Sequence, residues 1–267
     1  MDPETAPALP GPFTPEDMDI LYQDDHLVVI HKPSGLQVHR SPSDPPDEGP
    51  AALQLLRDRL DQYVYPCHRL DRPTSGILVF ALDKETSREL NLAFERREVE
   101  KTYLAIARGW PTPEAGTIDH PLKPKGKNFS EKPGSPAKPA TTRYETLATI
   151  ELDLPVGPYS TARYSFLSLE PETGRLHQIR RHLKHIDHPI LGDSRYGDGA
   201  HNLAMRDAYA IRRLQLASVR MSFQHPIHTT RITISCPLAD DMTQIVSRFN
   251  WAAMLPGDLR KPGTTDV

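Results

Sequence analysis

The sequence predicts an α+β fold, with helices flanking a mixed, largely antiparallel sheet. Short runs of strand-forming residues recur along the chain, bounded by turn residues. Segments of helical periodicity interrupt them irregularly rather than in strict strand–helix alternation, which would instead indicate a doubly wound parallel sheet. No internal repeat of fixed period is present.

Taken in order, Ile20-Leu21-Tyr22 and Leu27-Val28-Val29-Ile30 flank Asp24-Asp25 and read as a hairpin. Lys32-Pro33-Ser34-Gly35 ends it with strong turn residues. Residues 41–50 are polar and proline-rich, a loop, and residues 51–60 place apolar groups at helical spacing. Ile77 to Leu82 is apolar throughout, too short for a typical helix, and bounded by Gly76 and Asp83, so it reads as a buried strand. Asp83 can cap a helix running from Lys84 to about Arg97, with Leu90, Ala93 and Phe94 as its apolar stripe. Lys101 to Ala107 alternates as a strand with Lys101, Tyr103 and Ala105 on one face, closed by Gly109. Residues 123–140, rich in Lys, Pro and Ser, read as a loop. Strands are expected at 142–147 and 162–169, a helix at 177–185, strands at 214–223 and 231–235, and a helix at 240–251. Residues 1–18 form an acidic, proline-rich tail expected to be disordered; 19–255 form the folded body, and 256–267 a second tail.

At 267 residues, 37% hydrophobic and 25% charged, the chain is long enough to bury a large core. No apolar run approaches the roughly 20 residues that span a bilayer, and the acidic start lacks the features of a secretory leader. Two cysteines, Cys67 and Cys236, suit a reducing cytoplasm better than a disulfide framework. The net charge of −3 conceals an asymmetry. Residues 1–25 carry seven acidic groups and no Lys or Arg, whereas 172–231 carry ten Lys or Arg against five Asp or Glu, with seven histidines. Residues 123–143 add five Lys and one Arg against one Glu. Local positive faces, not net charge, govern binding to a polyanion.

No G-x-G-x-x-G fingerprint, Walker-type phosphate loop or G-x-S-x-G elbow is present. His182, His185 and His188 recur every third residue, but no carboxylate completes a zinc pattern such as H-E-x-x-H, and no metal is expected. Three segments carry chemistry instead. His68-Arg69-Leu70-Asp71-Arg72-Pro73-Thr74-Ser75-Gly76 puts Asp71 on a loop fixed to a buried strand, with Arg69 and Arg72 flanking its carboxylate. In the helix following Gly174-Arg175, Leu176, Ile179 and Leu183 share an apolar face; Arg180 lies beside it, partly buried, and needs an anionic partner that Asp71 could supply. Tyr103 is either an ordinary half-buried strand aromatic or a platform for an extruded base.

Together these segments resemble the RluA-type pseudouridine synthases. His68–Ala81 is similar to the family's catalytic segment, Lys101–Gly109 to its tyrosine strand and Gly174–Leu183 to its arginine helix. Lys32–Gly35 and His188–Gly197 add two further matches, in family order. The resemblance implies the family's catalytic fold with a central RNA-binding cleft, and isomerisation of uridine to pseudouridine in RNA. Arg180-Arg181, the segment Val38-His39-Arg40-Ser41 and the lack of an N-terminal RNA-binding domain resemble the branch that modifies uridine 65 of tRNA. A ribosomal RNA substrate is the alternative, and a non-catalytic RNA-binding protein a remoter one.

By the same resemblance Asp71 is the catalytic aspartate, Arg180 its partner, and Tyr103 the residue packed on the flipped base and a candidate aid to removal of the C5 proton. Arg69 would enter the RNA helix or hold backbone where the uridine has left. His68, Arg72, Lys101, Arg175, His177 and Arg181 would contact substrate. Attack on the base, attack on the sugar and removal of a ribose proton are all compatible roles for the aspartate. Substrate and product differ only in which uracil atom is bonded to ribose, so no cofactor is expected. The implied partner is RNA, most simply tRNA; the protein is expected to be a monomer without an obligate protein partner or membrane contact.

Overall fold

In the computed structural model, residues 13–40, 49–125, 134–259 and 265–266 are described. The strands are β1 (Ile20–Gln23), β2 (Leu27–Lys32), β3 (Tyr65–Pro66), β4 (Ser75–Ala81), β5 (Glu100–Arg108), β6 (Ala115–Asp119), β7 (Thr141–Leu152), β8 (Ala162–Pro171), β9 (Leu216–Gln224), β10 (Arg231–Ser235) and β11 (Thr265–Asp266). The helices are α1 (Ala52–Leu60), α2 (Lys84–Glu95), α3 (Gln178–His185), α4 (Gly199–Tyr209) and α5 (Asp240–Arg248). The sheet runs β1-β2-β4-β9-β5-β8-β7-β6, with β3 beside β4, β10 beside β9 and β11 beside β10. Among these pairs only β4–β9 is parallel, so the sheet is mixed and largely antiparallel, as expected.

The sheet is covered on both faces. Tyr103, Ala105 and Ala107 of β5 pack with Leu78 and Phe80 of β4, Leu55 and Leu56 of α1 and Ile179 and Leu183 of α3. Leu104 and Ile106 point the other way, towards Phe166, Met242, Ile245 and Trp251. Ile77 and Val79 of β4 join Val29, Leu90 and Met221 in a third cluster. Every residue of β4 is therefore buried, which accounts for its unbroken apolar run: a strand covered on both faces has no solvent side to alternate with. Asp83 caps α2 by accepting the Thr86 amide at 2.8 Å.

The tails are shorter than the sequence suggests. Met18 is fully buried and Phe13 packs against the core, while Thr14–Asp17 forms a tight capped turn. At the other end Leu259 is buried and Thr265–Asp266 pairs with β10. Hydrophobic anchors spaced among prolines have no periodicity to betray them. Residues 1–12 lie outside the described residues, as does the middle of the expected 123–140 loop; at that loop's base Leu122 and Lys138 exchange backbone hydrogen bonds of 2.9 and 3.0 Å. β3, β6, α4 and β11 were not anticipated. In α4 only Met205 is buried and Leu203 is half exposed, so no apolar stripe marks it. The final helix ends at Arg248, three residues earlier than expected.

Candidate active site

The segment between β3 and β4 carries Asp71. A turn closed by Thr74 N–H on the Asp71 carbonyl (3.0 Å) fixes its backbone. A second turn, Lys32–Gly35, clamps that loop. Gly35 N–H donates to the Arg72 carbonyl (2.9 Å), Arg72 Nε donates back to the Gly35 carbonyl (2.9 Å), and Ser34 Oγ donates to the Pro73 carbonyl (2.7 Å). Lys32 is fully buried, its Nζ donating to the carbonyls of Pro33, Leu36 and Arg72 at 2.8, 2.8 and 3.2 Å. Burial pushes this ammonium down to about 7, against the opposing pull of Asp71.

The apolar face of α3 seats Ile179 and Leu183 in the core and places Arg180 at the loop. Arg180 Nη1 donates to Asp71 Oδ2 at 3.1 Å, the pairing expected from the sequence. Its main partner is another residue. Asp193, fully buried, receives Nε and Nη2 of Arg180 at 2.7 and 2.8 Å in a two-point fork. Burial alone would raise the Asp193 pKa; Arg180 and the amides of Tyr196 and Arg195 outweigh it and hold the carboxyl below the usual range. Arg180 remains charged for the converse reason, since burial opposes its charge and Asp193 with Asp71 more than restores it. The three groups carry a net charge of −1, so Asp71 shares its cation.

Asp71 and Arg180 open into a cavity of about 220 Å³ walled by Leu70, Tyr103, Ile179 and Leu216. Tyr103 is aimed by an irregularity in the β5–β9 register between Thr102 and Tyr103. Burial, reinforced by Asp71, pushes its phenol up to about 12. The phenol is therefore neutral in ordinary buffers, and its ring lines the cavity.

Arg69, Arg175 and His177 line the same cavity. Arg69 is exposed at its mouth; Arg175 Nε donates to the Pro139 carbonyl at 3.2 Å, tying the site to the 123–140 loop. Lys101 lies in an adjoining groove, also lined by Arg69, Tyr103 and Arg175, with its ammonium 5.9 Å from the Phe94 ring centre. Three further expected site residues are held by contacts within the protein, His68 also lining that groove. His68 Nε2 accepts the Val79 amide at 3.1 Å and the ring stacks on Phe94, so it pins the loop to β4; burial pushes it down to about 3 and keeps it neutral. Arg72 belongs to the clamp described above. Arg181 lies within electrostatic reach of His120 and Tyr196. Sequence reasoning assigned no role to Asp193, Tyr196 or Lys32; the only signal for the first two was the motif His188–Gly197, and for the third Lys32–Gly35.

Among the described residues one group has the composition of a metal site, Asp24, His225 and His228, with donor atoms within 4.8 Å of one another. It does not suit a metal. His225 Nδ1 accepts the amides of Ile227 and His228 at 3.1 and 3.0 Å, which leaves the ring proton on Nε2, facing Asp24 Oδ2 at 2.9 Å. A ligating Nε2 would need that proton moved to Nδ1, where two donors already point. On α3, His182 faces Thr142 Oγ1 and the His120 carbonyl instead.

Over residues 26–185 the chain matches the family model described as RNA pseudouridylate synthase. It is 45% identical over 237 residues to the tRNA pseudouridine synthase C of Haemophilus ducreyi, covering 88% of this chain and 97% of that one. To the protein of the same name from Vibrio cholerae it is 42% identical over 241 residues, covering 89% and 98%. The chain belongs to the RNA pseudouridylate synthase family. Its structure is similar to that of human RNA pseudouridylate synthase domain containing 4, with a TM-score of 0.65 at 29% identity, covering 86% of this chain and 92% of that one. Human RNA pseudouridylate synthase domain containing 1 shares the fold, with a TM-score of 0.64 at 24% identity, covering 90% and 97%. The enzyme is a pseudouridine synthase, and among its described residues no helix is long and apolar enough to cross a membrane.

Two properties of this synthase follow from its buried charges. Asp193→Asn leaves Arg180 buried with half its compensation, and is expected to cost about 3 kcal/mol, read as a lowered urea midpoint, because breaking a buried pair strands the remaining charge. Acid should also weaken the fold. Burial pushes His68 to about 3, and His177 and His182 to about 4, whereas an unfolded histidine titrates near 6.5. Between those values the unfolded chain binds protons that the folded one does not. Each such ring then adds a slope of about 1.4 kcal/mol per pH unit. This stability is whole above about pH 6.5 and declines towards pH 4; a Tm that stays flat from pH 7 to 5 would mean the rings are protonated when folded.

Proposed function

We propose that this synthase converts a uridine of tRNA, at position 65, to pseudouridine, with Asp71 as the catalytic carboxylate. The extent of identity to relatives named tRNA pseudouridine synthase C supports the tRNA substrate. The pairing of Asp71 with Arg180 in a cavity also lined by Tyr103, Arg69 and Arg175 supports the residue roles. In this reading the uridine flips into the cavity and its base packs on Tyr103, with Leu70, Ile179 and Leu216 excluding water. Asp71, oriented by Arg180, acts at the ribosyl–uracil unit while the N1 bond breaks. The uracil turns within the closed space, C5 bonds to ribose, and the C5 proton leaves. Arg69, Arg175 and Lys101 hold phosphates around the vacated position, giving affinity that falls with salt. We place the enzyme in the cytoplasm as a monomer; both cysteines are buried and free, which suits a reducing compartment.

The test uses unmodified tRNA and ribosomal RNA, each tritiated at uracil C5. Tritium release from tRNA, with the product mapped to position 65, is the expected result. Release only from ribosomal RNA would reassign the substrate, and binding without release from either would leave a non-catalytic RNA-binding protein.

A further inference from the structure

Resting on Asp71 as the catalytic carboxylate, we propose that His177 is a positioning residue, a neutral imidazole that fixes the plane of that carboxylate rather than a contact for RNA. Arg180 holds only Oδ2 of Asp71; Oδ1 faces His177 Nε2 at 3.8 Å. A carboxylate held at one oxygen can turn about its last torsion, which is soft. A second donor on the other oxygen removes that freedom, and His177 Nε2 stands on that side.

The imidazole is itself held in place. Its Nδ1 lies 3.0 Å from Tyr196 Oη, and the two rings meet edge to face at 5.6 Å. When the tyrosine donates its hydroxyl proton to Nδ1, the histidine's own proton sits on Nε2, facing Asp71. Tyr196 is fixed in turn, its amide bound to Asp193 Oδ1 at 3.0 Å and its ring 5.2 Å from the Arg180 guanidinium carbon. Asp193 thus supports both groups that face Asp71, the cation directly and the imidazole through the tyrosine.

The backbone points the same way. His177 immediately precedes α3 with φ +54 and ψ +31, a left-handed conformation that glycine or asparagine adopts more readily. Strain of this kind persists where the side chain is needed. His177 lines the cavity but is only 9% exposed, with its ring packed between Asp71 and Tyr196. The groups facing the ring are Asp71, Arg180, Arg195, Asp193 and Tyr196. Burial with the two arginines keeps it neutral against the two carboxylates, so it orients Asp71 without adding a second positive charge that would blunt it.

Three variants test this with unmodified tRNA. His177→Gly removes the ring and relaxes the backbone; kcat should fall about 10- to 100-fold, as for a misplaced reacting group, with KM within about twofold and Tm unchanged or higher. His177→Asn keeps an N–H donor and tolerates the backbone, and should recover part of kcat. Tyr196→Phe frees the ring's tautomer and should move the acid limb of the kcat profile upward. A raised KM with normal kcat would restore an RNA contact, a Tm that falls with activity would make the residue structural, and unchanged kcat would remove it from the mechanism; each overturns the proposal. If Asp71→Asn keeps full turnover, the reading beneath the proposal fails instead.

Discussion

Asp71→Asn should lower the release of tritium from C5-labelled tRNA by about 10⁴-fold or more, the scale on which removing a reacting side chain acts, while leaving the fold intact. The substitution keeps the shape of the side chain and replaces one oxygen by an amide nitrogen. Arg180 loses little, because its Nε and Nη2 stay forked on Asp193 and the asparagine oxygen can still accept Nη1. Asp71 is 15% exposed at a cavity wall, so no fully buried charge is stranded. The contrast with Asp193→Asn is the informative part. That change leaves one acceptor where two held the guanidinium fork, sets an amide N–H against an Arg180 N–H and removes the buried counter-charge, so it should depress stability and turnover together, whereas Asp71→Asn should separate them. RNA affinity by gel shift should hold or tighten in Asp71→Asn, since an anion leaves a cavity that faces a polyanion. Turnover within tenfold of wild type would withdraw Asp71 from the chemistry.

The difference between those two aspartates also shows what the sequence can and cannot convey. Asp71 was legible because its neighbours are unusual: flanking arginines, a proline turn and a wholly apolar strand, at once. Arg180 was legible from its place beside an apolar helical stripe. Asp193 sits in Gly192-Asp193-Ser194-Arg195, which has the composition of any surface turn; only the fold carries it beneath Arg180, 13 residues away and fully buried. His68 illustrates the opposite direction. A histidine beside an arginine in a catalytic loop looks like a phosphate contact, and nothing in the sequence signals that its ring also accepts the Val79 amide of β4, a backbone need that side-chain chemistry does not announce. The hairpin and main strands were legible by their alternation or length. α4 and β6 were not, because one has no apolar stripe and the other runs at the outer edge of the sheet with a single buried residue.

Gly76→Ala should prevent folding altogether, through a contact no side-chain rotation can relieve. A Cβ built on Gly76 lies 2.0 Å from the Ser218 carbonyl oxygen, 2.7 Å from its nitrogen and 2.8 Å from its carbonyl carbon, and the residue has φ +113. All three atoms are backbone, so a strand must move. That strand is β9, and the β4–β9 ladder spans only Ser75 with Ala217 and Gly76 with Ser218. It is the parallel join between the β1-β2-β4 part of the sheet and the part built on β9, β5 and β8. Gly76 also pairs with Lys32, whose ammonium binds the loop of Asp71, so a shifted ladder displaces the carboxylate as well. The cost should be on the order of 5 kcal/mol, as large as the whole stability of many domains. Gly157→Ala separates the two contributions: Gly157 has φ +60 but open space where its Cβ would stand, so it should lose only about 1 to 2 kcal/mol from the backbone conformation. If Gly76→Ala proves soluble, with a Tm within a few degrees of Gly157→Ala, the close crossing of β4 over β9 is not what confines this position to glycine.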